Sequence, residues 1–276
     1  MPSPLTRRDA LRLGLGLGTV ALTSSVTAPA HADVSGPKAA TGSFASRYRG
    51  GQETVWEVLY PPGFTPGDRL PVMITLHGKG GNHTTPEGLR FLEHAETLRA
   101  EGLRPFACVG VDGGDTWWHD RADGTDSAAM VAYELAPILS GLGLDLTRPA
   151  LYGLSMGGMG AVWLASRLGP NRLSSLTIAS TPFPATWDRF SGSYDSPADF
   201  AVHDIRRHWA SLQGLPIRVD IGDQDSFLQE NLALRPLADP QPEFHVSPGG
   251  HDWDFWGRVA LEQMRFISGQ VRWGGV

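Results

Sequence analysis

The stretch Ala150-Leu151-Tyr152-Gly153-Leu154-Ser155-Met156-Gly157-Gly158-Met159-Gly160-Ala161 decides how this chain is read. An apolar run ends at Leu154, and an apolar helical pattern begins at Met156. Ser155 stands between them, with Gly153 and Gly157 two residues to either side. That spacing fits a tight strand-to-helix turn in which side chains at the flanking positions would collide with backbone. The turn lifts the serine hydroxyl above the strand. It also sets Ser155 at a helix N-terminus, whose partial positive charge favours a developing anion. Gly158 and Gly160 let the helix approach its neighbours closely. Ser155 is therefore a candidate nucleophile. A chance pentapeptide in a chain with 34 glycines is the alternative, and the strand-turn-helix setting argues against it.

Further apolar runs lie on both sides of this turn. Thr54–Tyr60 alternates like a strand, and Pro71–Leu76, Phe106–Asp112, Leu176–Ala179, Ile217–Ile221 and Phe244–Val246 read as short strands. Most are continuous rather than alternating, which implies burial on both faces, as in a parallel sheet. Helical patterns fill the gaps at Pro86–Glu101, Asp126–Leu139, Met156–Leu168 and Trp253–Ile267. Alternating strands and helices predict an α/β fold with helices on both faces of a mostly parallel sheet. Sites in such sheets form at the carboxyl ends of the strands. Residues 182–210 break the alternation, and the aromatic residues there belong either to a pocket-lining insertion or to a packed surface excursion.

The chain has 276 residues, a formal charge of −6 and no run of like charges, which excludes a nucleic-acid footprint. Its one cysteine, Cys108, excludes an internal disulfide and a multi-cysteine metal site, and its apolar surroundings predict a buried thiol. No pair of histidines shows His-x-x-x-His spacing, so neither a metal nor another cofactor is expected. Residues 1–32 read as a twin-arginine export signal: Arg7-Arg8, a short Gly/Leu/Ala/Val stretch, then Ala30-His31-Ala32 before a cleavage site. The expected organisation is this signal, a loose Gly/Ala/Ser-rich arm at 33–47, and one catalytic domain at 48–276 without a membrane span.

A serine hydroxyl needs a base to take its proton. Where the serine sits on such a strand-to-helix turn, the known chain order is nucleophile, acid, base, so the base is sought last. His251 in Gly249-Gly250-His251-Asp252-Trp253 follows the last short strand and precedes the C-terminal helix. The acid is expected in Asp220-Ile221-Gly222-Asp223-Gln224-Asp225, after the sixth strand. Asp225 is favoured by its place beyond the turn, with Asp223 and Asp220 as rivals. Its task is to accept from the imidazole Nδ1 and fix the tautomer. The oxyanion of acyl transfer needs two backbone N–H donors. Met156 supplies one. The other comes from Leu76-His77-Gly78-Lys79-Gly80-Gly81, with Lys79 preferred and Gly78 or Gly80 as neighbours in contention. Trp117, Trp118, Trp187 and Trp253 are candidates for an aromatic wall that binds substrate, or for the core.

Four segments together resemble the esterase family of α/β-hydrolases: Leu76-His77-Gly78-Lys79, Gly153-Leu154-Ser155-Met156-Gly157-Gly158, Gly222-Asp223-Gln224-Asp225 and Gly250-His251-Asp252-Trp253. That family includes S-formylglutathione hydrolases, feruloyl and acetyl-xylan esterases, and mycobacterial mycolyltransferases. The resemblance spans about residues 50–268. It implies the α/β-hydrolase fold, a triad of Ser155, Asp225 and His251, and oxyanion donors at Lys79 and Met156. Asp112-Gly113-Gly114 with Trp117-Trp118, Tyr133-Glu134-Leu135-Ala136-Pro137 and the Gly-x-His-x-Trp-x-x-Trp ending look like mycolyltransferase segments. His77 departs from those enzymes, which carry an acidic residue there. The expected activity is a secreted serine esterase acting through an acyl-serine on a small-molecule, polysaccharide or cell-envelope ester. Acyl transfer to a carbohydrate hydroxyl is the alternative, with a peptidase further behind.

Overall fold

The structure is a computed structural model and describes residues 39–190 and 192–272. The expected signal at 1–32 and the first part of the expected arm lie outside the described residues.

One eight-stranded sheet organises the domain, in the order β1-β2-β4-β3-β5-β6-β7-β8. The strands are β1 (Ala39–Ser46), β2 (Gln52–Leu59), β3 (Pro71–Leu76), β4 (Ala107–Val111), β5 (Asp145–Leu154), β6 (Ser175–Ala179), β7 (Ile217–Gly222) and β8 (Glu243–Ser247). Pairing is antiparallel between β1 and β2 and between β2 and β4, and parallel from β4 onward. Helices α1 (Thr85–Gly88), α2 (Phe91–Ala100), α3 (Ser127–Met130), α4 (Ala136–Gly141), α5 (Met156–Leu168), α6 (Pro197–His203), α7 (Ile205–His208), α8 (Leu228–Leu234) and α9 (Trp253–Gln270) connect them.

The continuous apolar strands have the predicted cause. In β3, Val72 and Ile74 enter one buried cluster with α5 residues such as Val162, while Met73 enters another with Phe91 of α2 and Met264 of α9. Alternate side chains point to opposite faces, and both faces are covered. Cys108 of β4 is fully buried, and burial pushes its thiol well above the usual range.

Three expectations need correction. Residues 39–46 are not a loose arm: they form β1, paired with β2 along its length from Ala39 opposite Leu59 to Ser46 opposite Gln52. Gly42 lies where a Cβ would press on the Trp56 ring, so glycine permits this close pairing. The helix expected over Pro86–Glu101 breaks at Arg90, whose φ is 57°. The helix expected over Asp126–Leu139 contains a π turn at Val131–Leu135 between α3 and α4. Pro137 brings no N–H to the helix, which loosens the ordinary i→i−4 ladder just there. Glu134 in that turn accepts from the Ser46 hydroxyl and the Arg47 N–H, tying the segment to the end of β1.

Residues 182–190 and 192–210 pack into the domain. Phe183, Tyr194, Ile205 and Trp209 are buried in the core on the α5 side of the sheet, while Trp187 stays exposed.

Candidate active site

Ser155 follows β5 and precedes α5, with φ 53° and ψ −117°. This strained turn explains its glycines. A Cβ on Gly153 would overlap the Gly157 carbonyl, and one on Gly157 would overlap the Leu76 carbonyl oxygen. Gly158 leaves room for Thr181, and Gly160 for Trp118. Gly157→Ala is therefore expected to cost about 1–3 kcal/mol of stability through overpacking, and to lower activity as the loop shifts. Thermal melting beside a kcat measurement checks this; unchanged values in both would contradict the steric account.

His251 and Asp225 converge on the serine from the ends of other strands. His251 Nε2 lies 2.9 Å from Ser155 Oγ, and His251 Nδ1 lies 3.0 Å from Asp225 Oδ2. Asp225 is buried. Burial pushes its carboxyl up, but hydrogen bonds from His251, Ser180 and the Phe227 N–H outweigh this and hold it below the usual range. An ionised carboxylate can only accept, so Nδ1 carries the proton and donates it to Asp225. In the neutral ring Nε2 then presents its lone pair to the serine hydroxyl. Gly222 allows the approach of the His251 loop, because a Cβ there would overlap the Gly249 carbonyl.

The rival aspartates are engaged elsewhere. Asp220 is buried in a two-contact pair with Arg218, both at 2.8 Å, and also accepts from Gln263 at 2.9 Å. Asp223 accepts the Gly249 N–H at 3.0 Å and braces the loop that carries His251.

The loop after β3 lies against the nucleophile: a Cβ on Gly78 would sit 3.4 Å from Ser155 Cβ. Gly81 N–H closes a turn onto the Gly78 carbonyl at 3.0 Å. Gly80 N–H donates to Asp115 Oδ1 at 2.7 Å, which commits it and removes it from contention as an oxyanion donor. Lys79 is exposed at the turn's first corner, and Met156 is the first residue of α5. The leading N–H groups of a helix have no acceptor within it.

His77 lies under this loop as a structural residue. Its Nε2 accepts the Gly113 N–H at 2.9 Å, so Nδ1 bears the proton and donates to the Gly78 carbonyl at 2.7 Å. Burial lowers its proton affinity, against the effect of the Gly78 bond.

The four tryptophans separate. Trp118 is fully buried, donates Nε1–H to the His77 carbonyl at 3.1 Å and fills the space left by Gly113 and Gly160. It has no surface for a substrate, so its expected binding role is corrected to that of a wedge beneath the loop. Trp117 is almost buried and stacks on Phe190, with centroids 6.1 Å apart. Phe190 meets Phe227 edge-on at 5.4 Å, and Phe227 meets the His251 ring at 5.0 Å. Trp253 is 47% exposed, lies over Gly88, and meets Trp256, which meets His251 at 5.1 Å. Trp187 is 44% exposed, and no ring contact ties it to this aromatic chain among the described residues. Phe227 and Trp256 are not among the expected site residues, although Trp256 carries a signal through its spacing from His251. Phe190 belongs to the aromatic stretch 182–210 that the sequence leaves open as a pocket lining.

Among the described residues one group has metal-ligand chemistry. His119, Asp199 and His203 bring one ligand atom each within 4.8 Å of one another. A search for paired histidines at helical spacing misses it, because His119 and His203 come from different segments. The ring nitrogens already face oxygens: His119 those of Asp120 and Ser193, and His203 those of Asp199 and Asp120. Burial alone would lower the His203 pKa, but Asp120 and Asp199 outweigh it and raise it. Burial and the adjacent His203 lower that of His119. A raised histidine pKa adds stability that is complete below the unfolded value and is lost as pH rises through the folded one. His203→Gln is thus expected to flatten the fall in melting temperature above the ordinary histidine range. Parallel melting curves from pH 6 to 9 would contradict it.

A mostly parallel sheet, a strained serine at the end of β5 and an imidazole held between that serine and a buried carboxylate define a serine hydrolase of the α/β-hydrolase fold. The model of the Esterase family, described as "Putative esterase", matches residues 49–265, and the chain belongs to that family. No curated protein matches the sequence. Among solved structures, a ferulic acid esterase superposes with a TM-score of 0.72 at 20% identity, covering 85% of this chain and 99% of its own. An S-formylglutathione hydrolase of Staphylococcus aureus gives 0.69 at 17%, covering 85% and 100%. A ferulic acid esterase of Anaeromyces mucronatus in complex with ferulic acid gives 0.61 at 18%, covering 85% and 90%. At these identities the likeness is one of fold. Among the described residues no helix is long and apolar enough to cross a membrane.

Proposed function

We propose that this protein is a secreted serine esterase that cleaves carboxylic esters through an acyl-Ser155 intermediate. The observation that carries the reading is the unbroken relay from Ser155 Oγ to His251 Nε2 at 2.9 Å and from His251 Nδ1 to Asp225 at 3.0 Å. His251 takes the hydroxyl proton as Oγ attacks the ester carbonyl, and gives it to the departing alkoxide. Asp225 holds the tautomer and stabilises the imidazolium. Lys79 and Met156 N–H groups receive the negative oxygen; Gly80, committed to Asp115, does not. Water then attacks the acyl-serine, with His251 again as base.

Trp117, Trp187 and Trp253 are proposed to contact the substrate, with Phe190 and Phe227 completing one wall. Flat aromatic faces suit an aryl acyl group or a sugar ring. Export rests on the paired arginines and the Ala30-His31-Ala32 ending at the N-terminus. It favours an external ester, small or polymeric, as substrate.

A panel of p-nitrophenyl esters of rising acyl length tests the class and the pocket together. Turnover is expected for at least the short members, with the preferred length reporting pocket depth. No turnover of any member, and no release of acid from natural aryl or sugar esters, would reject the reading.

A further inference from the structure

We propose that His119, Asp199 and His203 bind one divalent transition-metal ion of the zinc type, which fastens the loop after β4 to α6. The proposal is independent of the triad reading.

His119 lies in the loop after β4, while Asp199 and His203 lie on α6. The last two are at positions i and i+4, on one face of the helix. One ligand atom from each of the three residues lies within 4.8 Å of the others. Two imidazole nitrogens and a carboxylate oxygen suit zinc, with a fourth position left open.

The hydrogen-bond donors here fall short of the acceptors. His119 Nε2 lies 2.8 Å from the Ser193 carbonyl oxygen, and its Nδ1 lies 2.9 Å from that of Asp120. His203 Nε2 lies 2.8 Å from Asp120 Oδ1, and its Nδ1 lies 2.8 Å from Asp199 Oδ1. Carbonyl and ionised carboxylate oxygens only accept. All four ring nitrogens face such oxygens, but two neutral rings bring only two N–H groups. The remaining contacts set lone pair against lone pair. Two further protons would fill them only by stacking two imidazolium rings, buried and with centroids 4.3 Å apart. One divalent ion supplies the same charge and leaves both rings neutral. In the ion-free protein a proton on His203 supplies part of that charge. That is the form in which the His203→Gln melting comparison is made.

Each ligand also has an outer partner of the kind that orients metal-binding side chains. With Nδ1 on the ion, His203 donates Nε2–H to Asp120. Whichever nitrogen His119 gives to the ion, the other donates to a backbone carbonyl. Asp199 Oδ2 accepts the Asp195 N–H at 2.8 Å, which leaves Oδ1 toward His203. The ion would join the segment carrying Trp117 to the stretch carrying Phe190, two rings that stack on each other.

The test uses untagged full-length protein, stripped with EDTA, freed of chelator and titrated with Zn²⁺. Calorimetry should show one zinc bound per chain, and metal analysis should find it retained after gel filtration. The melting temperature should rise by about 5–10 °C at about a hundredfold excess over Kd. His119→Gln and Asp199→Asn should each weaken binding at least about a hundredfold. Asp120→Asn alters a carboxylate that is half exposed and outside the ligand set, and should weaken binding about tenfold. It reads the site even if a buried variant fails to fold. His208→Gln, at the end of α7, should bind zinc as wild type does.

Absence of retained zinc in folded wild type would overturn the proposal. So would equal binding by wild type, Asp199→Asn and Asp120→Asn, which would mean an adventitious ion only. None of these readouts involves turnover, so failure here leaves the ester chemistry to its own test.

Discussion

Ser155→Ala is expected to lower kcat on a p-nitrophenyl ester by about 10⁵–10⁶-fold while leaving KM nearly unchanged. The size follows from what the side chain does. Its oxygen forms the acyl bond, and no other hydroxyl is recorded facing His251 Nε2 among the described residues. Residual turnover would come from the oxyanion donors and binding alone, acting on water. The fold should tolerate the change, because Ser155 is only partly buried and its φ of 53° is set by the turn and not by the hydroxyl. Kinetics beside thermal melting checks this. Turnover within about tenfold of wild type would mean that another group attacks the ester.

The second large effect separates two aspartates that sequence alone left in competition. Asp225→Asn is expected to lower kcat by about 10⁴-fold, because an amide can present its N–H₂ to Nδ1 and reverse the tautomer. The serine would then face an N–H in place of a lone pair. Asp223→Asn keeps an oxygen able to accept from Gly249 N–H, so its effect should stay within about threefold. A rate–pH series on the two variants makes the contrast sharper. Asp225 accepts from His251 and the Phe227 N–H, and its carboxyl is held below the usual range, so wild-type activity should not fall at mildly acidic pH through loss of its charge. Equal mild losses in both variants would overturn the assignment.

Most of the sheet could be read from the chain because strands buried on both faces leave apolar runs, as in Pro71–Leu76 and Ile217–Gly222. The serine turn was legible for a steric reason: only glycine fits at 153 and 157, and the structure shows the carbonyls that forbid anything larger. Strand β1 was not legible. Its sequence Ala-Ala-Thr-Gly-Ser-Phe-Ala-Ser has small residues at an edge and little apolar signal, and its pairing depends on the Trp56 ring lying over Gly42. Trp117 and Trp118 are adjacent and both have left-handed φ angles of 61° and 60°. Which ring would face the site and which the core depends on that backbone, so composition could not separate them.

The loop beside the nucleophile was half legible. The Gly-rich run after β3 marked it, but the commitment of the Gly80 N–H could not be read, because its acceptor Asp115 lies 35 residues further on.

The proposed chemistry requires that Ser155 is the one side chain that becomes covalently acylated, and that His251 is what makes it react. Intact-mass and peptide-mapping mass spectrometry after treatment with a fluorophosphonate tests it most directly, since that reagent phosphonylates an activated serine without needing the natural substrate. A single adduct on the peptide carrying Ser155, formed rapidly in wild type and much more slowly in His251→Ala, is the predicted result. An adduct on a different residue, or equal labelling of wild type and His251→Ala, would contradict the account.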